Sequence, residues 1–302
     1  MSFQAREFLA PRFWPTWLGF GCFWLLTRLP YPLVMRISRG LGLLTYALLI
    51  SRRHTTLTNL RLAFPELSEP ARKALAKDAF RHVGMAMGET AWTWYRSIDT
   101  IGPIETSGTE YVDEALLKGK GVILLQAHFT VLELCAAIFG ARWPMRAVYD
   151  PPKNPLFAAY LLYQRNRHMD GMIDNRAIRE MVRRLRAGEV VWYSPDQSVS
   201  VSHGGIPTRY FGQPVLTTSG SARIVRMTGA TVIPFIPERK SNGEGYAFRF
   251  LPPVEFDSDD LLAATQQVND LLEAQVRTQP EQYLWAHKRF KPPSREHPSP
   301  YK

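Results

Sequence analysis

From Ile104 onward, short apolar runs alternate with stretches of helical periodicity, and this alternation most narrows what the chain can fold into. The strand-like runs fall at 104–106, 122–125, 145–149, 172–174, 190–194, 231–236 and 246–251. Helical patterns fill the intervals at 111–117, 132–139, 156–166, 177–187, 218–228 and 261–276. Strands separated by helices do not pair as simple hairpins. They line up in a mainly parallel or mixed sheet with helices on both faces, so the expected class is α/β.

The first fifty residues read differently. Residues 1–61 hold eight arginines against one acid, Glu7, so +7 of the net charge of +10 sits there. The same stretch is rich in Trp and Leu, and basic residues beside tryptophans on an apolar body suit a membrane surface better than nucleic acid. No nucleic-acid-binding motif is visible. Phe13 to Thr27 is an uncharged run that lacks a small-residue cleavage site, which argues against a signal peptide. It is also shorter than the roughly 20 residues of a standard span. A helix lying in one leaflet and a single span lengthened by snorkelling of Arg12 and Arg28 both remain open. Residues 1–50 are therefore expected to be a membrane-associated helical anchor, with residues 51–302 as the globular domain. Ser68 and Pro70 open a long helix that runs to Trp94. Two cysteines, Cys22 and Cys135, make no disulfide framework, which fits a reducing compartment.

The chemistry is expected after the run Val122–Leu125, where a turn carries His128 and a helix then begins, with Thr130 as its expected N-cap. Ligands of open α/β sheets bind at the carboxyl ends of strands. Glu133 lies five residues beyond His128, and no other histidine has an acid at that spacing. With the ring in the turn and Glu133 one turn into the helix, the carboxylate can reach back to the imidazole. That arrangement suits a general base oriented by an acid. The plainer reading is a strand-end histidine bonded to a carbonyl, with a first-turn acid favoured by the helix dipole. No spacing suits a metal, so none is expected.

His128-Phe129-Thr130-Val131-Leu132-Glu133 resembles the His-x4-acid motif of the bacterial lipid A late acyltransferases, within the lysophospholipid acyltransferase superfamily. The likeness runs through most of the chain. It takes in Pro11-Arg12-Phe13-Trp14-Pro15, Asn59-Leu60-Arg61, Phe64-Pro65-Glu66, Asn154-Pro155-Leu156, Gly188-Glu189-Val190-Val191-Trp192-Tyr193-Ser194-Pro195-Asp196, and Trp285-Ala286-His287-Lys288-Arg289-Phe290. It is greatest toward the lauroyl-type branch. One departure is Asp150, where the family usually has arginine.

The resemblance implies an acyltransferase domain that moves a fatty acyl chain from acyl carrier protein to a hydroxyl of an acylated lipid A precursor. It implies no cofactor, and a single-pass inner-membrane protein whose site faces the cytoplasm. His128 would be the base and Glu133 its partner, with direct transfer and no acyl-enzyme. Arg165 and Asp196 match functionally important family positions. Arg165 would hold a phosphate or the oxyanion, with Arg167 as a rival, and Asp196 would anchor an arginine or a second histidine. Tyr149 and Asn154 are further candidates on the acceptor path. His203-Gly204-Gly205 reads as a loop, and Arg179 to Arg186 as basic surface for an acidic donor protein. The same motif would serve acylation of another glycolipid or of a glycerophospholipid. A non-catalytic membrane-surface binder is the reading from a different class.

Overall fold

The computed structural model describes residues 3–256, 259–292 and 298–301. Four helices come first: α1 (Trp14–Leu26), α2 (Tyr31–Leu48), α3 (Ile50–Ala63) and α4 (Glu69–Tyr95). Then strands and helices alternate: β1 (Ile104–Ser107), α5 (Thr109–Leu117), β2 (Val122–Leu125), α6 (Glu133–Phe139), β3 (Met145–Tyr149), α7 (Pro155–Arg165), β4 (Gly171–Asp174), α8 (Ile178–Arg186) and β5 (Val190–Tyr193). A hairpin of β6 (Gly205–Tyr210) and β7 (Gln213–Thr218) follows, then α9 (Gly220–Thr228), β8 (Thr231–Arg239), β9 (Tyr246–Phe250) and α10 (Leu261–Thr278).

Seven strands form one sheet in the order β1-β9-β8-β2-β5-β3-β4. All neighbours are parallel except β8 and β9. The fold is thus α/β with a mostly parallel mixed sheet, as the alternation predicts. β2 is central and buried at all four residues, which is why it reads as an unbroken apolar run. Its alternate side chains feed two cores. Ile123 and Leu125 join Val191, Val232, Val268 and Leu272 on one face, while Val122 and Leu124 join Leu134, Trp192, Ile233 and Phe235 on the other.

The hairpin was not expected. Its turn is Phe211-Gly212, with positive φ at both residues (50° and 69°). That is the backbone a two-residue hairpin needs, ordinarily supplied by Asn-Gly or Asp-Gly. Phe211 accepts the strained position because its ring is buried against Phe64 and Trp285. His203 and Gly204 close a single 3-10 turn, and Gly205 already belongs to β6, so the stretch expected as a loop is largely ordered secondary structure.

The N-terminal helices are packed onto the rest of the molecule. A Cβ on Gly42 would lie 2.2 Å from the Phe80 carbonyl, and one on Gly84 would lie 2.2 Å from that of Ser38. Small residues therefore let α2 and α4 approach backbone to backbone. α1 packs through Phe20 on Trp94 and on Phe157 and Tyr160 of α7. No single helix among the described residues is long and apolar enough to cross a membrane. α2 and α3 pass that test only together, and they are bent by 93°. The expected span is therefore not seen as one continuous helix.

Candidate active site

β2 and β5 are parallel neighbours in register, with Leu125 opposite Tyr193. Three residues beyond each of these lie His128 and Asp196, so the two meet at the carboxyl edge of the sheet. The Asp196 Oδ2 accepts from the His128 backbone N–H at 3.0 Å, and its Oδ1 is hydrogen-bonded to the ring Nδ1. The carboxylate is 1% exposed and the imidazole 24% exposed, so the acid is sealed in while the ring keeps an open edge.

Burial alone would raise the Asp196 pKa. The positive potential of His128, its two hydrogen bonds and the Tyr283 hydroxyl outweigh burial and lower it to about 2. Burial pushes the His128 pKa down, but the charge and hydrogen bond of Asp196 reverse this and leave it above its ordinary value. Asp196 thus fixes Nδ1 as the protonated nitrogen and presents Nε2 outward. The Gln197 side-chain amide lies 3.2 Å from that Nε2.

The turn is held from the C-terminal end of the chain. Gln275 in α10 accepts from Ala127 N–H and donates to the Leu125 carbonyl, at 3.0 and 3.1 Å. Thr130 N–H donates to the Gln282 carbonyl at 2.8 Å, and Leu284 N–H donates to that of His128 at 2.9 Å. Phe129 bridges Tyr283. These bonds hold residues 127–130 out of helical form, with the Phe129 N–H turned back onto the Ala127 carbonyl, so α6 starts only at Glu133, with Leu132 and not Thr130 at its N-cap.

This explains why the expected Glu133–His128 pair is replaced. Glu133 receives Arg165, the last residue of α7, whose Nε donates to Oε1 at 3.0 Å while Nη2 bonds the same oxygen. The carboxylate partner of the ring is Asp196. Asp196, expected to anchor an arginine or a second histidine, holds His128 itself.

The other expected residues divide. Tyr149 ends β3 on the same edge, and its pKa is raised by burial and by Asp174, against the opposing pull of Arg165. Arg167 is drawn away to the Trp94 carbonyl and Gln164, at 3.0 and 2.7 Å, which removes it as a rival to Arg165. Asn154 caps α7 by accepting from Phe157 N–H and donates to Thr16 of α1, so it is a structural tie. On α8, Arg183 and Arg184 are paired with Glu180, and Arg184 also with Glu189. α8 returns from β4 towards the start of β5, so its last-turn arginines sit at the edge away from His128, which weakens them as donor-docking surface. Among the described residues no group of acids, histidines and cysteines has the grouping to hold a metal.

Sequence reasoning missed Gln197, Tyr283, Gln275 and any role for His287. His287 Nε2 accepts from Ser198 N–H at 3.2 Å, and its backbone carbonyl receives the Asn59 amide at 2.7 Å. Burial lowers its pKa to about 4, so the ring stays an acceptor near neutral pH. Only the adjacency of Gln197 to Asp196 could have drawn attention to it.

A histidine oriented by a sealed carboxylate, at the carboxyl edge of an open α/β sheet, is the make-up of a proton-transferring enzyme. Residues 1–292 match the family model for bacterial lipid A biosynthesis acyltransferase. The chain is 36% identical to the lipid A biosynthesis lauroyltransferase of Escherichia coli (strain K12), covering 97% of this chain and 96% of that protein. It is 32% identical to the palmitoleoyltransferase of the same organism, over 95% and 94%. To the myristoyltransferase there it is 27% identical, over 98% and 93%. The chain belongs to the bacterial lipid A biosynthesis acyltransferase family, and it is an acyltransferase.

Proposed function

We propose that this enzyme moves a fatty acyl chain from the thioester of acyl carrier protein to a hydroxyl of an acylated lipid A precursor. His128 acts as general base. The observation that carries the reading is the imidazole whose Nδ1 is tied to buried Asp196 while the ring keeps an exposed edge. Nε2 takes the hydroxyl proton as the oxygen attacks the thioester carbon, and Asp196 stabilises the imidazolium that forms. Collapse of the tetrahedral intermediate breaks the C–S bond, and the proton passes from Nε2 to the leaving thiolate. No nucleophilic side chain is needed, so there is no acyl-enzyme. Glu133 opens α6 five residues after the base and holds Arg165, whose guanidinium suits a lipid phosphate. The test is mass spectrometry of the purified enzyme's products with acyl carrier protein thioester and lipid A precursor. A gain of one acyl chain on the precursor is expected. Acylation of glycerophospholipid alone would sink the assignment.

The protein works at the inner membrane with its site facing the cytoplasm, where a protein-borne donor arrives. Support comes from the exposed face of α2, where Leu33, Ile37, Leu41, Leu44 and Leu48 recur at helical spacing, and from exposed Trp14, Leu18, Trp24 and Leu25 on α1. Arg12, Arg28, Arg36 and Arg39 are exposed beside them, the complement of anionic headgroups. At 13 residues α1 spans about 20 Å, short of a bilayer's hydrocarbon core, so it lies in one leaflet. The next helix leads from this face toward the site: Arg52 of α3 donates to the Ala286 carbonyl beside His287. The Leu41→Asp/Leu44→Asp double variant should release most of the protein from anionic vesicles in a flotation assay. Unchanged flotation would dismiss this face.

A further inference from the structure

The reading above leaves unexplained why a side-chain amide lies against the nitrogen that must take the proton. The Gln197 Nε2 is 3.2 Å from the His128 Nε2. With Nδ1–H committed to Asp196, the outer nitrogen holds a lone pair, and the amide N–H donates to it. The amide is placed by its neighbours on both sides. Asp196 on one side is bonded to His128 through backbone and ring, and Ser198 on the other donates its N–H to His287 at 3.2 Å. His287 in turn is anchored through its carbonyl by the buried Asn59. The Gln197 side chain itself is only partly buried, so it has room to turn.

We infer that Gln197 is a catalytic residue: its amide caps the basic nitrogen of His128 at rest, yields that nitrogen to the acceptor hydroxyl, and then donates its N–H to the thioester oxygen as charge develops there. The inference rests on the acyl-transfer reading above. An incoming hydroxyl brings its own hydrogen to the Nε2 lone pair and displaces the amide. The hydroxyl oxygen bonds the thioester carbon, whose carbonyl π pair moves onto oxygen. That oxyanion forms within reach of the amide, which is where a donor counts. The proton sits on Nε2 until the C–S bond breaks and the thiolate takes it. A cap that must be displaced also keeps water from occupying the base in the absence of acceptor.

Two consequences separate this from a packing role. Donation to the lone pair favours the neutral ring, so its loss raises the pH at which the base form appears. Loss of the oxyanion donor lowers the turnover number without weakening acceptor binding. The charged and titratable groups around the ring are Asp196 and His287, with Tyr283, Tyr210 and Arg289 behind the carboxylate. None of them is altered by a change at Gln197.

The experiment compares the full chain with Gln197→Ala, Gln197→Asn and His128→Ala, in detergent, by acyl-transfer kinetics across pH. Each variant's melting temperature is measured alongside to confirm folding. Gln197→Ala is expected to lower kcat by roughly 10²-fold with acceptor KM nearly constant. The acid limb of kcat/KM should move to higher pH, and Gln197→Asn, whose amide is one methylene short, should fall between. If kcat stays within two-fold or the acid limb stays put, the inference is overturned while the acyl-transfer reading stands. If His128→Ala retains activity, the reading beneath both is wrong.

Discussion

Asp196→Asn is expected to lower kcat/KM by about 10³–10⁴-fold with little change in stability. The asparagine occupies the same space, and its oxygen can still accept from the His128 backbone N–H that now donates to Oδ2 at 3.0 Å. Facing Nδ1, however, it then presents an NH2 group. Nδ1 becomes an acceptor, the ring proton moves to Nε2, and the base has no lone pair at the reacting edge. The pH profile provides a second reading. In the parent enzyme Asp196 holds the His128 pKa above its ordinary value, so the base form is lost as pH falls through a midpoint above about 6.5. Without the carboxylate the imidazolium loses its counter-charge, burial prevails, and the midpoint of the residual activity moves to lower pH. A variant with near-parent activity, or one whose midpoint moves upward, would show that Asp196 does not orient the base. By contrast, Glu133→Gln keeps the His128–Asp196 pair and alters only the partner of Arg165.

The second large effect is on stability. Glu89 of α4 is buried, and Arg239 at the end of β8 donates to it through Nε at 2.6 Å and Nη2 at 2.8 Å. Tyr246 donates to the same carboxylate at 2.6 Å, and Tyr31 of α2 bonds the Tyr246 hydroxyl. His82 accepts from the third guanidinium nitrogen, and burial together with the arginine lowers its pKa to about 3, so it remains neutral. Glu89→Ala would leave a guanidinium buried without a counter-charge, at a cost of about 3–5 kcal/mol. Chemical denaturation in detergent should show a loss of that size. Removing both charges with Glu89→Leu/Arg239→Met should recover much of it, because the pair's attraction barely repays its desolvation. A loss below about 1 kcal/mol in the single variant would mean that water reaches the cluster. The effect would extend past this cluster, since the Arg239 backbone is bonded on both sides by Gln282, whose own carbonyl holds Thr130.

The sequence carried the parts of this architecture that local patterns encode. The apolar run of β2, the amphipathic helix from Ala177 and the Ser68-Glu69-Pro70 helix start all correspond to elements found. It could not carry strand order. β5 lies beside β2 although β3 and β4 come between them in the chain, and no residue near Asp196 announces that neighbour. His128 was therefore found from its position after a strand, whereas the acid five residues on was given a role that belongs to one across the sheet. A spacing argument assumes that the helix starts where its cap suggests, and here the bonds from Gln282 and Leu284 delay it. The Phe211-Gly212 turn was missed for a related reason: long-range burial of the ring compensates a backbone that local chemistry disfavours.

The backbone on either side of His128 is fastened by residues made much later, with Gln275 lying 148 positions beyond Ala127. During synthesis the early helices leave the ribosome first, while the reactive turn stays unsupported until α10 and the strand-like segment behind it have emerged. A nascent or prematurely terminated chain is thus an idle one. The histidine turn takes its shape only once the segment from Gln275 to Leu284 has been made and folded back against it.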